Sequence, residues 1–365
     1  MSQASIIILF LGDPPGDRRA RNFARYFEDE GWEVELIAIQ PSKTRGPRRF
    51  LEYHNRLKRE LQSKRTDVVF ACDLYSLSVA RMMKRKAQAK FLIYDAREIY
   101  TELPDVAKRP IVKFVWRNLE RRGLIAADIV IITAPMDAQA ICNVHGFLPR
   151  SVLIRNLPWR KANIIRDRSL LDQFGIPSES KVAVYVGGLQ QGRGLEKLID
   201  AFALFKDKQN HLLLIGGGAL HTQLGAQITK LGLSNIVHFT GWMDADEALR
   251  VTAACDVGVT LVEPISRSYE LALPSKLFEY MMAGIPVVSS FIEQVSDLFG
   301  KEKWITFVDV SDKQSIKNGL EKGFADSNSE TLLSRERDLA MQEFHFEHDA
   351  AVLVRAMKNF VIHNS

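Results

Sequence analysis

Cysteine is sparse in this sequence: Cys72, Cys142 and Cys255 are the only three in 365 residues. No Cys-x-x-Cys or Cys/His spacing joins them, which excludes a disulfide framework and a structural zinc site and fits a reducing compartment. No apolar run approaches the roughly 20 residues of a membrane-spanning helix. The stretch Ile125 to Ala134 is too short and carries Asp128; Ile6–Leu11 has no basic region before it and runs into a Gly-Asp-Pro-Pro-Gly turn, so it reads as a buried strand. A cytoplasmic chain is expected, at most peripheral on the inner face of a membrane. Also missing are a Walker lysine motif, a G-x-G-x-x-G turn on the first strand of either half, and a Ser/His/Asp elbow. P-loop hydrolysis and dinucleotide redox chemistry lose their support, and the lack of RNP, helix-turn-helix and zinc-finger patterns makes nucleic acid an unfavoured partner.

What remains is a folded chain. Hydrophobic residues at 46% and charged residues at 25% exclude disorder, and the length exceeds one ordinary core. Two domains are expected, 1–160 and 161–345, followed by a closing helix over 346–365. That helix is striped by Val352, Leu353, Ala356 and Phe360, and periodicity leaves its docking partner open. Short β-branched runs alternate with helical stripes: Ile6–Leu11, Val34–Ile39, Val68–Ala71, Phe91–Tyr94 and Asp128–Thr133, then Val182–Val186, His211–Ile215, Ile236–Phe239, Asp256–Thr260 and Pro286–Ser289. Such alternation predicts an α/β protein of two doubly wound parallel sheets, with the ligand in a cleft beyond the carboxyl ends of the strands. Asp17 is placed to cap the first helix and Gly31 to stop it. The net charge of +5 is divided unevenly, with 28 Lys/Arg against 18 Asp/Glu in 1–160 and 21 against 26 thereafter. The basic half either meets a polyanion, such as anionic lipid or a phosphorylated acceptor, or is a solvated face.

Three glycine loops follow strands: Gly12-Asp13-Pro14-Pro15-Gly16, Gly187-Gly188-Leu189-Gln190-Gln191-Gly192-Arg193-Gly194, and Gly216-Gly217-Gly218. Glycine lets a backbone approach a phosphate closely, but tight strand-to-helix turns need it as well. The most informative stretch is Arg267-Ser268-Tyr269-Glu270-Leu271-Ala272-Leu273-Pro274-Ser275-Lys276-Leu277-Phe278-Glu279-Tyr280-Met281-Met282-Ala283-Gly284. It predicts a helix N-capped by Ser275, with Leu277, Tyr280 and Met281 inward and Lys276 and Glu279 one turn apart. Free amides and a positive dipole end then face an anion beside Lys276, or the segment is simply a capped helix with an exposed ion pair.

With its Pro-Ser-Lys-Leu-Phe-Glu-Tyr-Met-Met-Ala-Gly-Ile-Pro-Val-Val run, this stretch resembles the donor-binding signature of glycosyltransferase family 4, retaining enzymes of the GT-B fold. Tyr185 to Ile199, Leu213 to Gly218, Val237 to Trp242 and Ala254 to Val257 are similar to further family segments in order and spacing. The resemblance implies a nucleotide-diphosphate sugar as co-substrate, a glycan or lipid-linked acceptor, and no cofactor or metal. Donor binding falls to Gly12, Gly188, Arg193, Lys197, Gly216, Gly241, Ser275, Lys276, Leu277 and Glu279. Arg193 and the amides near Ser275 to Leu277 meet the diphosphate, and Glu279 meets the ribose. Arg193, Glu270 and Arg97 are cast as catalytic, and Asp95, Arg97 and Glu98 as the acceptor side. Two departures stand out: Leu271 occupies the place of the family's second glutamate, with Glu270 one residue earlier, and Gly188 replaces a basic residue. The family's acceptor-domain histidine is Arg97 here, so a histidine base is not expected and the donor phosphate itself takes the acceptor proton. Lys197 either supports Arg193 or faces solvent, and Asp95, Arg97 and Glu98 either orient the acceptor or form a buried ion-pair network.

Asp244-Ala245-Asp246 reads as a helix cap, and His345 and His348 are too few for a metal site. A helix starting at Pro110 puts Lys113, Arg117 and Arg121 on one stripe and Ile111, Phe114, Val115, Trp116 and Leu119 opposite. It lies on anionic lipid or packs with a wet basic side; the cluster Arg45, Arg48, Arg49, Arg56, Lys58, Arg59, Lys64 and Arg65 favours the former. A sugar-nucleotide epimerase and a degenerate binding module without turnover are the alternatives to a transferase.

Overall fold

The computed structural model describes residues 3–12, 17–40, 47–162 and 164–361. Arg45, residues 13–16 of the first glycine loop and the Phe360 side chain lie outside them. The chain divides into two compact units, Met1–Asn156 with Phe346–Ser365, and Leu157–His345.

In the first unit, six strands form one parallel sheet: β1 (Ser5–Leu11), β2 (Glu33–Ile39), β3 (Thr66–Ala71), β4 (Ala89–Ala96), β5 (Ile129–Ile132) and β6 (Ser151–Leu153), in the order β2-β1-β3-β4-β5-β6. Central strands buried on both faces read as near-continuous apolar runs, and β1 is such a strand, with Ile6 to Phe10 all buried. Asp17 caps the helix Arg18–Asp29 by accepting from the Ala20 amide. That helix buries Phe23 and Phe27, and Phe23 meets Phe346 of the final helix edge-on at 5.2 Å. The final helix, Phe346–Val361, is tied down further by Asp349, whose carboxylate takes hydrogen bonds from the Arg155 backbone and guanidinium. It thus completes the first unit, a contact that periodicity left open.

The second unit repeats the architecture with β7 (Lys181–Val186), β8 (Asn210–Ile215), β9 (Val237–Gly241), β10 (Val257–Thr260), β11 (Val287–Ser290) and β12 (Ile305–Val308), ordered β12-β11-β10-β7-β8-β9 and all parallel. Asp244 caps the helix Ala245–Ala254 through the Asp246 amide, as its spacing predicts. In each sheet the winding direction reverses once, at β1/β3 and at β7/β10. The loops at such a switch diverge and leave a crevice beyond the carboxyl ends.

Among the described residues no helix is long and apolar enough to cross a membrane. No group of three or more His, Cys, Asp or Glu among them is arranged to hold a metal ion.

Candidate active site

The β7/β10 switch of the second unit gathers most of the residues singled out in the sequence. The loop after β7 and the loop after β8 clasp each other backbone to backbone: Gly187 N donates to Ile215 O at 2.8 Å, Leu189 N to Gly217 O at 3.0 Å, and Leu220 N to Leu189 O at 3.0 Å. Contact this close needs glycine. At Gly216, φ is +131° and a Cβ would stand 2.0 Å from Gly187 O; at Gly218 it would stand 2.4 Å from Leu189 O. The glycines therefore hold two loops together, and the amides of Gly187 and Leu189 are spent in doing so. Gly216 also donates to Gly241 O at 2.9 Å, joining the end of β9 to the same platform.

Beside it stands the helix Ser275–Ala283, with Leu277 through Ala283 all buried. The expected Ser275 cap is corrected: Pro274 occupies the cap position with extended backbone, Ser275 is the first helical residue, and no side chain caps the end. A hydroxyl already inside the first turn cannot reach back to the amides ahead of it. The Leu277 amide bonds Pro274 O at 3.1 Å, so Ser275 and Lys276 contribute the outward-facing amides of this end. Lys276 Nζ bridges both oxygens of Glu279, at 3.1 and 3.0 Å, and Glu279 is only 8% exposed. A Cβ on Gly187 would stand 3.6 Å from Lys276 Cε, so the ammonium stem lies against the β7 loop.

Arg193 lies over the Tyr269 ring, 5.2 Å from its centroid. Tyr185 links this guanidinium to the β7 loop: its hydroxyl donates to Gly188 O at 2.9 Å, and burial pushes it up to about 12 against the opposing charge of Arg193. Lys197 is instead engaged by Glu263 at 2.7 Å, and the same carboxylate accepts from the Gly194 amide. Glu263, from the loop after β10, thus braces the β7 loop across the switch; nothing in its local sequence marked it. Glu270, cast as catalytic, lies apart from the Lys276–Glu279 pair on its own short helix. It sits 44% exposed on the short helix Arg267–Glu270, paired with Arg267 at 3.0 Å, while Leu271 is buried. A one-residue offset on that turn directs the carboxylate outward and the apolar side chain into the core.

In the first unit, Gly12 follows β1, its amide donating to Ile39 O. Asp95 is fully buried at the end of β4, held by Arg19 through two hydrogen bonds of 2.8 and 2.9 Å and by Arg97 at 3.0 Å. Arg97 also pairs with Asp17. Asp95 and Arg97 therefore form an ion-pair network that fastens the first helix to the sheet, in place of a free acid or base. Arg97 Nη2 has no hydrogen-bond partner among the described residues, and Glu98 next to it is exposed.

Residues 167–337 match the family described as Glycosyl transferases group 1. The matched span lies within the second unit. A relative, the lipopolysaccharide core biosynthesis glycosyltransferase LpsE of Rhizobium meliloti, is 27% identical over 207 residues, 57% of this chain and 57% of its own. The chain spans 57% and 56% of the length of two curated relatives it matches, and less than half of others. Among solved structures, sucrose-phosphate synthase of Thermosynechococcus elongatus aligns with a TM-score of 0.81 at 18% identity over 99% of this chain and 100% of that one. HepE of Anabaena, solved with UDP and glucose, gives 0.76 at 19% identity over 98% and 100%. These likenesses show the GT-B fold, and the span similar to group 1 transferases includes the β7/β10 site.

Proposed function

We propose that this protein is a retaining, metal-independent glycosyltransferase of family 4, moving a sugar from a nucleoside-diphosphate donor to a hydroxyl of a glycan or lipid-linked acceptor at a membrane face. The observation that carries this is the convergence of three features at the β7/β10 switch: an uncapped helix N-terminus, the Lys276–Glu279 pair, and Arg193. The dipole end and two cations stabilise the charge that a departing nucleoside diphosphate gains, a role divalent metal otherwise fills. Glu279, braced by Lys276, accepts from the ribose hydroxyls. Lipopolysaccharide-core and O-antigen transferases among the relatives, and the UDP complex of HepE, support both substrates.

Asp95 and Arg97 pair with each other at this strand end, and proton transfer to the donor phosphate as the leaving group departs on the same face needs neither as a base. Sugar-nucleotide consumption, measured with and without acceptor and with EDTA, tests the proposal. Turnover that needs acceptor, survives chelation and keeps the anomeric configuration supports it. Conversion of donor alone would indicate an epimerase, and binding without turnover a non-catalytic module.

A further inference from the structure

The helix Pro110–Ala126 of the first unit is built with its apolar residues on the outside. Ile111 is 79% exposed, Phe114 67% and Ile125 67%, with Val115 and Leu119 also exposed. At helical spacing these five make one stripe about 20 Å long. Only Glu120, Gly123 and Leu124 of this helix are buried.

The inner face fixes that orientation. Glu120 accepts from the Tyr94 hydroxyl at 2.8 Å and meets His145 Nε2 at 3.0 Å. Gly123 lies so close to the helix Leu74–Arg85 that a Cβ there would stand 2.2 Å from Leu77 Cδ2. Rolling the helix to hide the stripe would unpair a buried carboxylate and force a backbone into Leu77, so the apolar side chains stay outward. Two of the basic residues expected on the free face are committed, Lys113 to Glu102 at 2.7 Å and Arg121 to His145 O. Lys108 and Arg109 at the helix start and Arg117 and Arg122 along it are exposed. Burial, then the charges of Arg85 and Arg122, hold Arg81 below the usual guanidinium range, so Arg122 belongs to a wider cationic patch. Glu120, buried, is the one acidic residue in the helix.

We propose that this face docks the first unit on an anionic lipid bilayer, the helix lying in the plane of the interface with Ile111, Phe114, Val115, Leu119 and Ile125 in the acyl boundary and Lys108, Arg109, Arg117 and Arg122 against lipid phosphates. Charge complementarity selects this occupant. An anionic bilayer offers apolar depth and negative charge in one plane, whereas a second copy of the chain would set this basic patch against itself. The docking stands independently of sugar transfer, and its test is scored without turnover.

Co-sedimentation with vesicles of phosphatidylcholine alone, and of phosphatidylcholine with phosphatidylglycerol, reads it out. The wild-type chain is expected to partition onto the mixed vesicles, weakly onto the neutral ones, and less at high salt. Arg117→Gln with Arg122→Gln should lower partitioning about 30-fold, at about 1 kcal/mol for each basic residue near such a surface. Ile111→Ser with Phe114→Ser should lower it at least about tenfold. Leu231→Ser, removing an exposed leucine of the second unit, should leave it unchanged. Failure of the wild type to bind mixed vesicles overturns the proposal, as does equal binding by the Ser pair or an equal loss with Leu231→Ser. A wild-type dimer in sedimentation velocity that the Ser pair dissociates would assign the face to a second copy. All substituted side chains are exposed, and the lipid and salt dependence of the wild type decides the question even where a variant is lost.

Discussion

Replacing Gly216 by alanine should cost far more than a methyl group suggests. The added Cβ would stand 2.0 Å from Gly187 O, where real contacts begin near 3.0 Å, so two backbones must separate by about an ångström. Such a shift breaks the Gly187–Ile215 and Leu189–Gly217 hydrogen bonds, about 1 kcal/mol each. Alanine at a φ of +131° adds about 1–3 kcal/mol of strain. The sum is about 3–5 kcal/mol, or a Tm lower by about 10 °C for a domain of this size. Two other glycines separate contact from conformation. At Gly241, φ is +74° and a Cβ meets nothing within 4 Å, so alanine there costs only the strain, about 1 kcal/mol. Gly225, inside the helix His221–Lys230 and facing open space, should gain about 0.5–1 kcal/mol as alanine. Thermal unfolding of the three variants gives the order G225A above wild type, then G241A, then G216A. A G216A midpoint within about 2 °C of wild type would refute the clasp between the β7 and β8 loops.

Other perturbations address the site and the titratable interior. Glu279→Ala should weaken UDP or GDP binding about 30-fold in calorimetry, the worth of charge-assisted hydrogen bonds near 2 kcal/mol, and unchanged affinity would remove Glu279 from the donor site. Arg193→Ala should weaken a nucleoside diphosphate more than the monophosphate; equal losses contradict a diphosphate contact. His238, bonded to His211 at 2.9 Å, is lowered to about 4 by burial and by that neighbour. Its folded value lies below the unfolded 6.5, so its contribution is whole above pH 6.5 and lost as pH falls through about 4. The loss is about 2 kcal/mol after screening at this half-buried ring, and the Tm profile of His238→Gln should be flatter across that window. Glu336 is buried with neither oxygen hydrogen-bonded among the described residues, and burial, then Glu302, pushes its carboxyl well above 4.5. Its contribution is intact below pH 4.5 and lost as pH rises through the folded value, so Glu336→Gln should raise Tm at neutral pH and leave it unchanged in acid; a drop at neutral pH would contradict this.

Local chemistry carried much of the fold into the sequence. Asp17 and Asp244 are caps because a short carboxylate reaches the amides of the turn it precedes, and Pro110 opens a helix because its missing N–H has no partner to lose there. The edge strands β6 and β12, of three and four residues and only partly buried, were not legible, whereas the equally short inner strands β5, β10 and β11 are buried throughout and read as apolar runs. At Ser275 the helix begins one residue earlier than the hydroxyl suggested. The wheel of Pro110–Ala126 separated basic from apolar sides without saying which faces the core; tertiary partners of Glu120 and Gly123 decide that. Trp116 alone of the expected apolar group turns inward, against Phe50, Tyr75 and Tyr100. The Lys276–Glu279 pair was readable because both residues lie within one helix. Glu263 was not, because its partners Gly194 and Lys197 lie some 70 residues upstream.

The homecoming of the final helix to the first unit gives the polypeptide an unusual timetable at the ribosome. Domains commonly mature in the order of their synthesis. Here the unit that emerges first waits for Phe346 to roof Phe23 and for Asp349 to bind Arg155, so the inserted unit, Leu157–His345, finishes while its host is still unsealed. A stop codon just after residue 345 would therefore injure the part of the protein translated earliest and spare the part translated last.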